Sequence, residues 1–173
     1  AGAEPRFGFF RGYLKDAAAT DEAWSGGWFH TGDLVRRDAD GQFHFVDRKK
    51  NVIRRSGENI SAVEVEAVLL QHPAVRSAGV TAVPDPVRGD EVCACIVLGE
   101  PCAASDALAR ELVAFALERL AYYKAPGYVV WSEALPLTPT EKIQRAQLKE
   151  HARECLERGQ ALDLRSMKRR DDA

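Results

Sequence analysis

Three short stretches of this sequence carry residue types in spacings that could do chemistry. Gly27-Trp28-Phe29-His30-Thr31-Gly32-Asp33 ends on a carboxylate behind a Thr-Gly turn. Such a carboxylate can accept two hydrogen bonds from a ribose diol, or it can cap the backbone of its own turn, the commoner use of a turn Asp. The stretch Asp47 to Ser61 carries five bases in eight residues, Arg48, Lys49, Lys50, Arg54 and Arg55, followed by Ser56-Gly57-Glu58-Asn59. Clustered bases focus positive potential, for which phosphates are the natural partner. Gly57 lets another backbone or a narrow ligand approach closely. The same charges suit a solvated strand edge that resists edge-to-edge pairing, and on charge alone that use leads. Pro136-Leu137-Thr138-Pro139-Thr140-Glu141-Lys142-Ile143-Gln144-Arg145 sets Lys142 in a Thr/Pro-restrained loop ahead of a helix. Its ammonium can meet a phosphate as a point charge, or stay an exposed loop lysine.

Other chemistries find no support. There is no G-x-x-x-x-G-K-[ST] phosphate loop. His30, His44, His72 and His151 are scattered in sequence without metal-ligand spacing, so no metal site is expected. No Ser-His-Asp set stands out. Cys93, Cys95, Cys102 and Cys155 make no C-x-x-C pair and are too few for a disulfide scaffold. Cys93 and Cys95 share one face if their apolar run is a strand, and read as small buried hydrophobes in a reducing cytoplasm.

The positioning elements must come from 173 residues, about one domain with a piece of another at roughly 150 residues per domain. With 46% hydrophobic and 29% charged residues, neither disorder nor a fibrous protein fits. The 24 bases and 26 acids give a net charge of -2, which disfavours a dedicated nucleic-acid binder. No apolar run approaches the roughly 18 residues of a membrane span. The start, Ala1-Gly2-Ala3-Glu4-Pro5-Arg6, has neither a signal pattern nor a Met, so a fragment is expected.

Residues 1–46 are rich in Gly and aromatics and predict irregular structure with short strands, including a hairpin turned at Asp40-Gly41. A charged connector at 47–51 marks a domain boundary. Residues 52–55 predict a strand and 56–59 a turn. Ser61 with Glu64 forms a capping box for a helix to about Gln71, stopped by His72-Pro73. Strands follow at 75–83 and 91–98, then a Ser105-capped helix to about Leu120, a strand at 128–131 and an amphipathic helix at 144–158. Residues 159–173 read as a charged, solvated tail. The fold class is α+β: a small sheet flanked by helices over 52–158, preceded by a strand-rich remnant of another domain.

In this order and spacing the three stretches resemble the C-terminal part of the adenylate-forming acyl-CoA synthetases, over nearly the whole chain to about residue 150. Gly27 to Asp33 resembles the family's G-W-x-x-T-G-D motif, Asp47 to Glu66 its hinge and loop-helix, and Pro136 to Arg145 its terminal lysine motif. The Ser-Gly-Glu-Asn form is closer to CoA ligases than to peptide-synthetase adenylation domains. The resemblance implies a two-step ligase: a carboxylic acid and ATP give acyl-AMP, then CoA displaces AMP to give the thioester. ATP with Mg2+ and CoA are the implied substrates, bound mainly with an N-terminal domain absent here. The C-terminal domain would rotate between the two steps.

The resemblance also implies roles. Asp33 would hold the ribose hydroxyls, with Arg48 beside it on ribose or phosphate, and Lys50 would be the hinge. Lys142 would stabilise charge during adenylation. Arg55, Ser56, Gly57, Glu58 and Asn59 would line the pantetheine tunnel, and Arg88 and Tyr123 would touch the CoA nucleotide. Glu141 departs from the family, which has Gly before this lysine, and a Glu141–Lys142 pair would blunt the lysine. The phosphate loop and acyl pocket have no counterpart here, so the fragment alone is expected to be inactive. Phe7, Phe9, Phe10, Trp24 and Trp28 would then be uncovered and favour a homo-oligomer. Two alternatives are a stand-alone CoA- or nucleotide-binding module and, less favoured by charge, a nucleic-acid binder using the basic cluster.

Overall fold

Asp38 and Gly41 turn the first hairpin. Asp38 Oδ1 accepts the Gln42 N–H at 2.8 Å, its carbonyl accepts the Gly41 N–H at 3.1 Å, and its Oδ2 lies 2.6 Å from His44 Nε2. The His44 bond, with the Gln42 N–H, holds the Asp38 carboxyl below its usual range. The flanking strands, β1 (Asp33–Arg37) and β2 (Phe43–Arg48), pair antiparallel with Asp33 opposite Arg48. The computed structural model describes residues 8–168, and the chain divides between Lys50 and Asn51 into two units.

In the first unit, residues expected to be irregular form a helix, α1 (Ala17–Ala23), capped by Asp16 Oδ1 on the Ala19 N–H at 2.9 Å. Its seven residues are too few to show a helical period. Trp24 is buried, in correction of the expectation, because the rings of Phe9 and Phe29 pack on it at 5.6 and 5.1 Å. Phe9, Phe10 and Trp28 are exposed, and Phe7 lies outside the described residues. Phe43 and Phe45, which alternation places on one face of β2, are 70% and 60% exposed.

The second unit begins with a tight hairpin. β3 (Ile53–Arg55) and β4 (Glu58–Ile60) pair antiparallel with Arg55 opposite Glu58, so the four-residue turn expected at 56–59 shrinks to Ser56-Gly57. Both residues adopt positive φ, 50° and 87°, as a twist-compatible two-residue turn demands. Ser61 Oγ then accepts the Glu64 N–H at 3.3 Å and starts α2 (Ala62–Leu69).

β5 (Val75–Asp85) and β6 (Gly89–Leu98) form the longest hairpin. It extends past the predicted ends because Asp85 Oδ1 collects the N–H groups of Val87 and Arg88 at 3.0 and 2.9 Å. The turn tightens and Asp85 pairs with Gly89. Ser105 caps α3 (Asp106–Leu117), and β7 (Tyr128–Trp131) then runs parallel to β6. α4 (Arg145–Glu157) follows, and β8 (Leu162–Asp163) closes antiparallel on β7. β5 takes one edge of β6 along its length. β3, through Arg55 opposite Gly89, and β7 share the other.

Alternation along β6 divides the core. Val92, Ala94 and Ile96 join the cluster of Val65, Leu69, Leu112 and Val113 from α2 and α3. Cys93 and Cys95 face the other way, onto Leu148, Ala152 and Cys155 of α4. A sheet covered on both faces reads as a near-continuous apolar run, as 92–98 does. Cys93, Cys95 and Cys155 are buried free thiols, and the neighbouring Cys95 thiol together with burial pushes Cys93 well up.

The tail expectation needs correction. Leu162 and Asp163 complete the sheet, Leu164 is buried by the α2/α3 core, and Lys168 is buried as well. Residues 169–173 lie outside the described residues. No described helix is long and apolar enough to cross a membrane.

Candidate functional site

The hairpin of the first unit brings Asp33 and Arg48 together. Arg48 Nε lies 2.7 Å from Asp33 Oδ1, an ion-pair contact without hydrogen-bond alignment, and Arg48 Nη1 donates to the Thr31 carbonyl at 3.0 Å. Thr31 Oγ1 accepts the Asp33 N–H at 3.1 Å, and the Gly32 carbonyl accepts the Lys49 N–H at 2.8 Å. The carboxylate is thus fixed in direction and partly open to solvent, with a cation beside it. This arrangement can accept from a diol and face a phosphate. Lys50 is exposed in the short turn Lys49–Asn51, where the two units divide.

In the second unit the Ser56-Gly57 turn stands out from the sheet. Ser56, Gly57, Glu58 and Asn59 are all exposed, and a Cβ placed on Gly57 would meet nothing within 4 Å. The Ser56 N–H donates to the Arg88 carbonyl at 2.9 Å, so the turn and the exposed Arg88 are neighbours. Arg55 departs from its expected place. Its residue is 2% exposed, and Nε donates to Glu91 Oε1 and Oε2 at 2.9 and 2.8 Å. It supports the turn from below.

Lys142 sits in a loop that folds on its own threonine. The Thr138 N–H donates to the Lys142 carbonyl at 2.8 Å, and the Lys142 N–H returns to Thr138 Oγ1 at 3.1 Å. The Leu137–Ile143 bridge and the Gln144 N–H on the Pro136 carbonyl at 2.8 Å close the loop. Glu141 adopts φ of 59°, the left-handed conformation that glycine adopts without strain. Glu141 and Lys142 are both exposed, and no carboxylate pairs with the Lys142 ammonium among the described residues.

Just past this loop, Arg145 grips α2 and β5. Its Nη1 and Nη2 take the two oxygens of the buried Glu66, the second at 2.8 Å, and Nη1 also donates to the Val80 carbonyl at 3.1 Å. The Val80 N–H completes the set on Glu66 Oε1 at 2.7 Å. The Glu66 and Arg145 network was not evident from the sequence as a positioning device, although both residues lie in the singled-out stretches.

Arg88 borders an open groove of about 530 Å³ lined by Asp85, Val87, Arg88, Asp163, Arg165 and Ser166. Burial works to raise the Asp85 carboxyl, but the Val87 and Arg88 N–H groups and the Arg165 guanidinium outweigh it and hold it low. Tyr123 belongs to a different cluster: its half-buried ring meets Tyr122 edge-on at 5.6 Å and packs against the α2/α3 core. Among the described residues no group of three His, Cys, Asp or Glu side chains could hold a metal ion. The Mg2+ expected with ATP therefore finds no ligand set among the described residues.

Residues 64–142 match the family model of the AMP-binding enzyme C-terminal domain. The chain is 42% identical over 146 residues to the peroxisomal acetate/butyrate–CoA ligase of Arabidopsis thaliana, covering 83% of this chain and 26% of that enzyme. It is 42% identical over 142 residues to the sulfoacetate–CoA ligase of Cupriavidus necator, covering 82% and 27%. The o-succinylbenzoate CoA synthetase of Bacillus subtilis, solved with its acyl-adenylate intermediate, superposes with a TM-score of 0.71 at 38% identity, covering 80% of this chain and 28% of that one. The chain thus spans about a quarter of the length of the curated relatives it matches.

Proposed function

We propose that this chain, which belongs to the AMP-binding enzyme C-terminal domain family, serves as the mobile part of an ATP-dependent acyl-CoA synthetase. The observation that carries this reading is one domain presenting two differently built loops, each anchored to a buried glutamate. The Ser56-Gly57 turn rests on Arg55 and Glu91, and the Lys142 loop leads into Arg145 and Glu66. Two loops suit two half-reactions.

In the first half, a carboxylate oxygen attacks the α-phosphorus of ATP, the bond to pyrophosphate breaks, and acyl-AMP forms. Lys142 meets the charge that builds on the phosphate. Such transfers depend on positioning and charge neutralisation, and an ammonium with no carboxylate paired to it among the described residues is suited to both. Asp33 and Arg48 hold the ribose. In the second half the CoA sulfur bonds to the acyl carbon, the bond to AMP breaks, AMP leaves and the thiol proton is released. The open backbone at Gly57 gives the pantetheine arm a path, with Ser56, Glu58 and Asn59 beside it and Arg88 placed for the CoA nucleotide. The unit boundary at Lys50–Asn51 supports Lys50 as the hinge.

The required partner is the larger body of such an enzyme, which supplies the acid pocket and most of the nucleotide site. Exposed Val35, Phe43, Phe45 and Trp28 support a surface that such a body covers. On its own the chain is expected to be inactive and to self-associate through these side chains. The free thiols support a reducing cytoplasm. The test is pyrophosphate exchange by the intact protein across a panel of carboxylic acids. Acid-dependent exchange is expected. CoA binding without exchange for any acid would move the assignment to a CoA-binding module.

A further inference from the structure

Glu91 is 0% exposed and collects donors from three directions. Arg55 comes from β3, the Val92 N–H from β6 itself at 2.8 Å, and Lys168 Nζ at 2.5 Å from the far end of the described chain. Gly127 makes room for it, since a Cβ there would lie 2.6 Å from the Glu91 side chain. The segment ending at Lys168 is tied at three further points. Leu162 and Asp163 pair with β7, the Leu164 N–H donates to the Gly127 carbonyl at 2.8 Å, and Arg165 Nη1 reaches Asp85 Oδ2 at 2.8 Å. The Arg165 guanidinium also lies over the Tyr128 ring, 4.9 Å from its centre.

These ties converge under one place. Asp85 shapes the turn whose Arg88 carbonyl holds the Ser56 N–H, and Glu91 orients the arginine that precedes Ser56. Charge balance does not require the lysine, because Arg55 and Glu91 already pair one to one. Burial pushes the Lys168 ammonium down to about 8 against the pull of Glu91, with Arg55 and Arg88 adding to the fall. What the ammonium supplies is a fixed link from the C-terminal segment to the carboxylate beneath the turn.

We propose that residues 162–168 are a strap holding the Ser56-Gly57 turn from beneath, with Lys168 and Glu91 as positioning residues for thioester formation. The chemistry in this inference rests on the function proposed above; the mechanics rest on the contacts alone. In the intact protein, Lys168→Met is expected to lower kcat/KM for CoA by roughly tenfold to a hundredfold, as small misplacements do. Acid-dependent pyrophosphate exchange should stay unchanged. Equal loss of both halves would mean general destabilisation and overturn the proposal.

Arg165→Gln unties the strap at Asp85 without disturbing the buried network, and the same split is expected at smaller size. Amide exchange on the 173-residue chain gives a second readout. Lys168→Met should release protection at the Ser56 N–H while leaving α4 amides protected, and unchanged Ser56 protection would overturn the strap. If the unmodified protein shows no exchange of pyrophosphate with any acid, the functional reading fails, and the amide result alone decides the strap.

Discussion

The turn at Ser56-Gly57 and the loop around Lys142 are held in opposite ways. The turn belongs to the sheet: β4 pairs with β3 next to it, and a completely buried carboxylate anchors its base. The loop is largely self-contained, closed by Thr138 and by the Leu137–Ile143 bridge, and it reaches a buried glutamate only through Arg145 beyond it. Each uses positive φ, the turn at Ser56 and Gly57, the loop at Glu141. The turn depends on buried contacts beneath it, whereas a self-contained loop can change chemically while the rest of the domain stays as it is.

The largest expected effect tests the sheet side. Glu91→Ala leaves Arg55 and Lys168 as buried, unpartnered cations, and removing one partner of a buried pair costs about 3–5 kcal/mol. Denaturant unfolding should show a loss of that size. A change under about 1 kcal/mol would show that the turn does not depend on this network.

The same network titrates. The Lys168 ammonium is pushed down to about 8 from the ordinary 10.5, so between those values the unfolded chain binds a proton that the native state has lost. Stability contributed by this group therefore rises with pH from about 8 to about 10.5. Subtracting the unfolding free energy of Lys168→Met from that of the unchanged chain should expose this rise. The raised Cys93 and Tyr128 groups pull the other way but are common to both proteins. A flat difference would contradict the buried placement of the ammonium.

On the loop side, Lys142→Ala should leave stability unchanged and slow adenylation roughly a hundredfold to a thousandfold, the usual cost of one preorganised donor. Pyrophosphate exchange by the intact protein checks this. The smallest effect is at Glu141. A non-glycine residue in the left-handed region costs roughly 1–2 kcal/mol, and glycine's extra chain entropy offsets about 0.5–1 of it. Glu141→Gly should therefore stabilise the chain by ~0.5–1 kcal/mol in thermal unfolding. A loss of stability would mean that the glutamate makes a favourable contact of its own.

Local features were readable from the sequence because their causes are local. Ser61 and Ser105 cap helices through N–H groups three residues on, and the spacing of Cys93 and Cys95 assigns them one face. The proximity of Asp33 and Arg48 follows from the hairpin register. The buried charges were not readable. Glu91 follows Arg88-Gly89-Asp90, which reads as a solvated turn, and its partner Lys168 lies 77 residues on, in a stretch that reads as tail. The resemblance places Arg55 with the tunnel loop, yet strand alternation turns it inward with Ile53. Burial of an ion is decided by a distant partner, and one sequence does not display that partnership.

The most direct test measures both half-reactions on the intact protein carrying either Lys142→Ala or Gly57→Leu. One assay follows acid-dependent pyrophosphate exchange, the other CoA-dependent release of AMP from supplied acyl-adenylate. The two-loop division predicts that Lys142→Ala loses the first and keeps the second, and that Gly57→Leu does the reverse. If each variant loses both activities to the same extent, the loops do not divide the reaction between them.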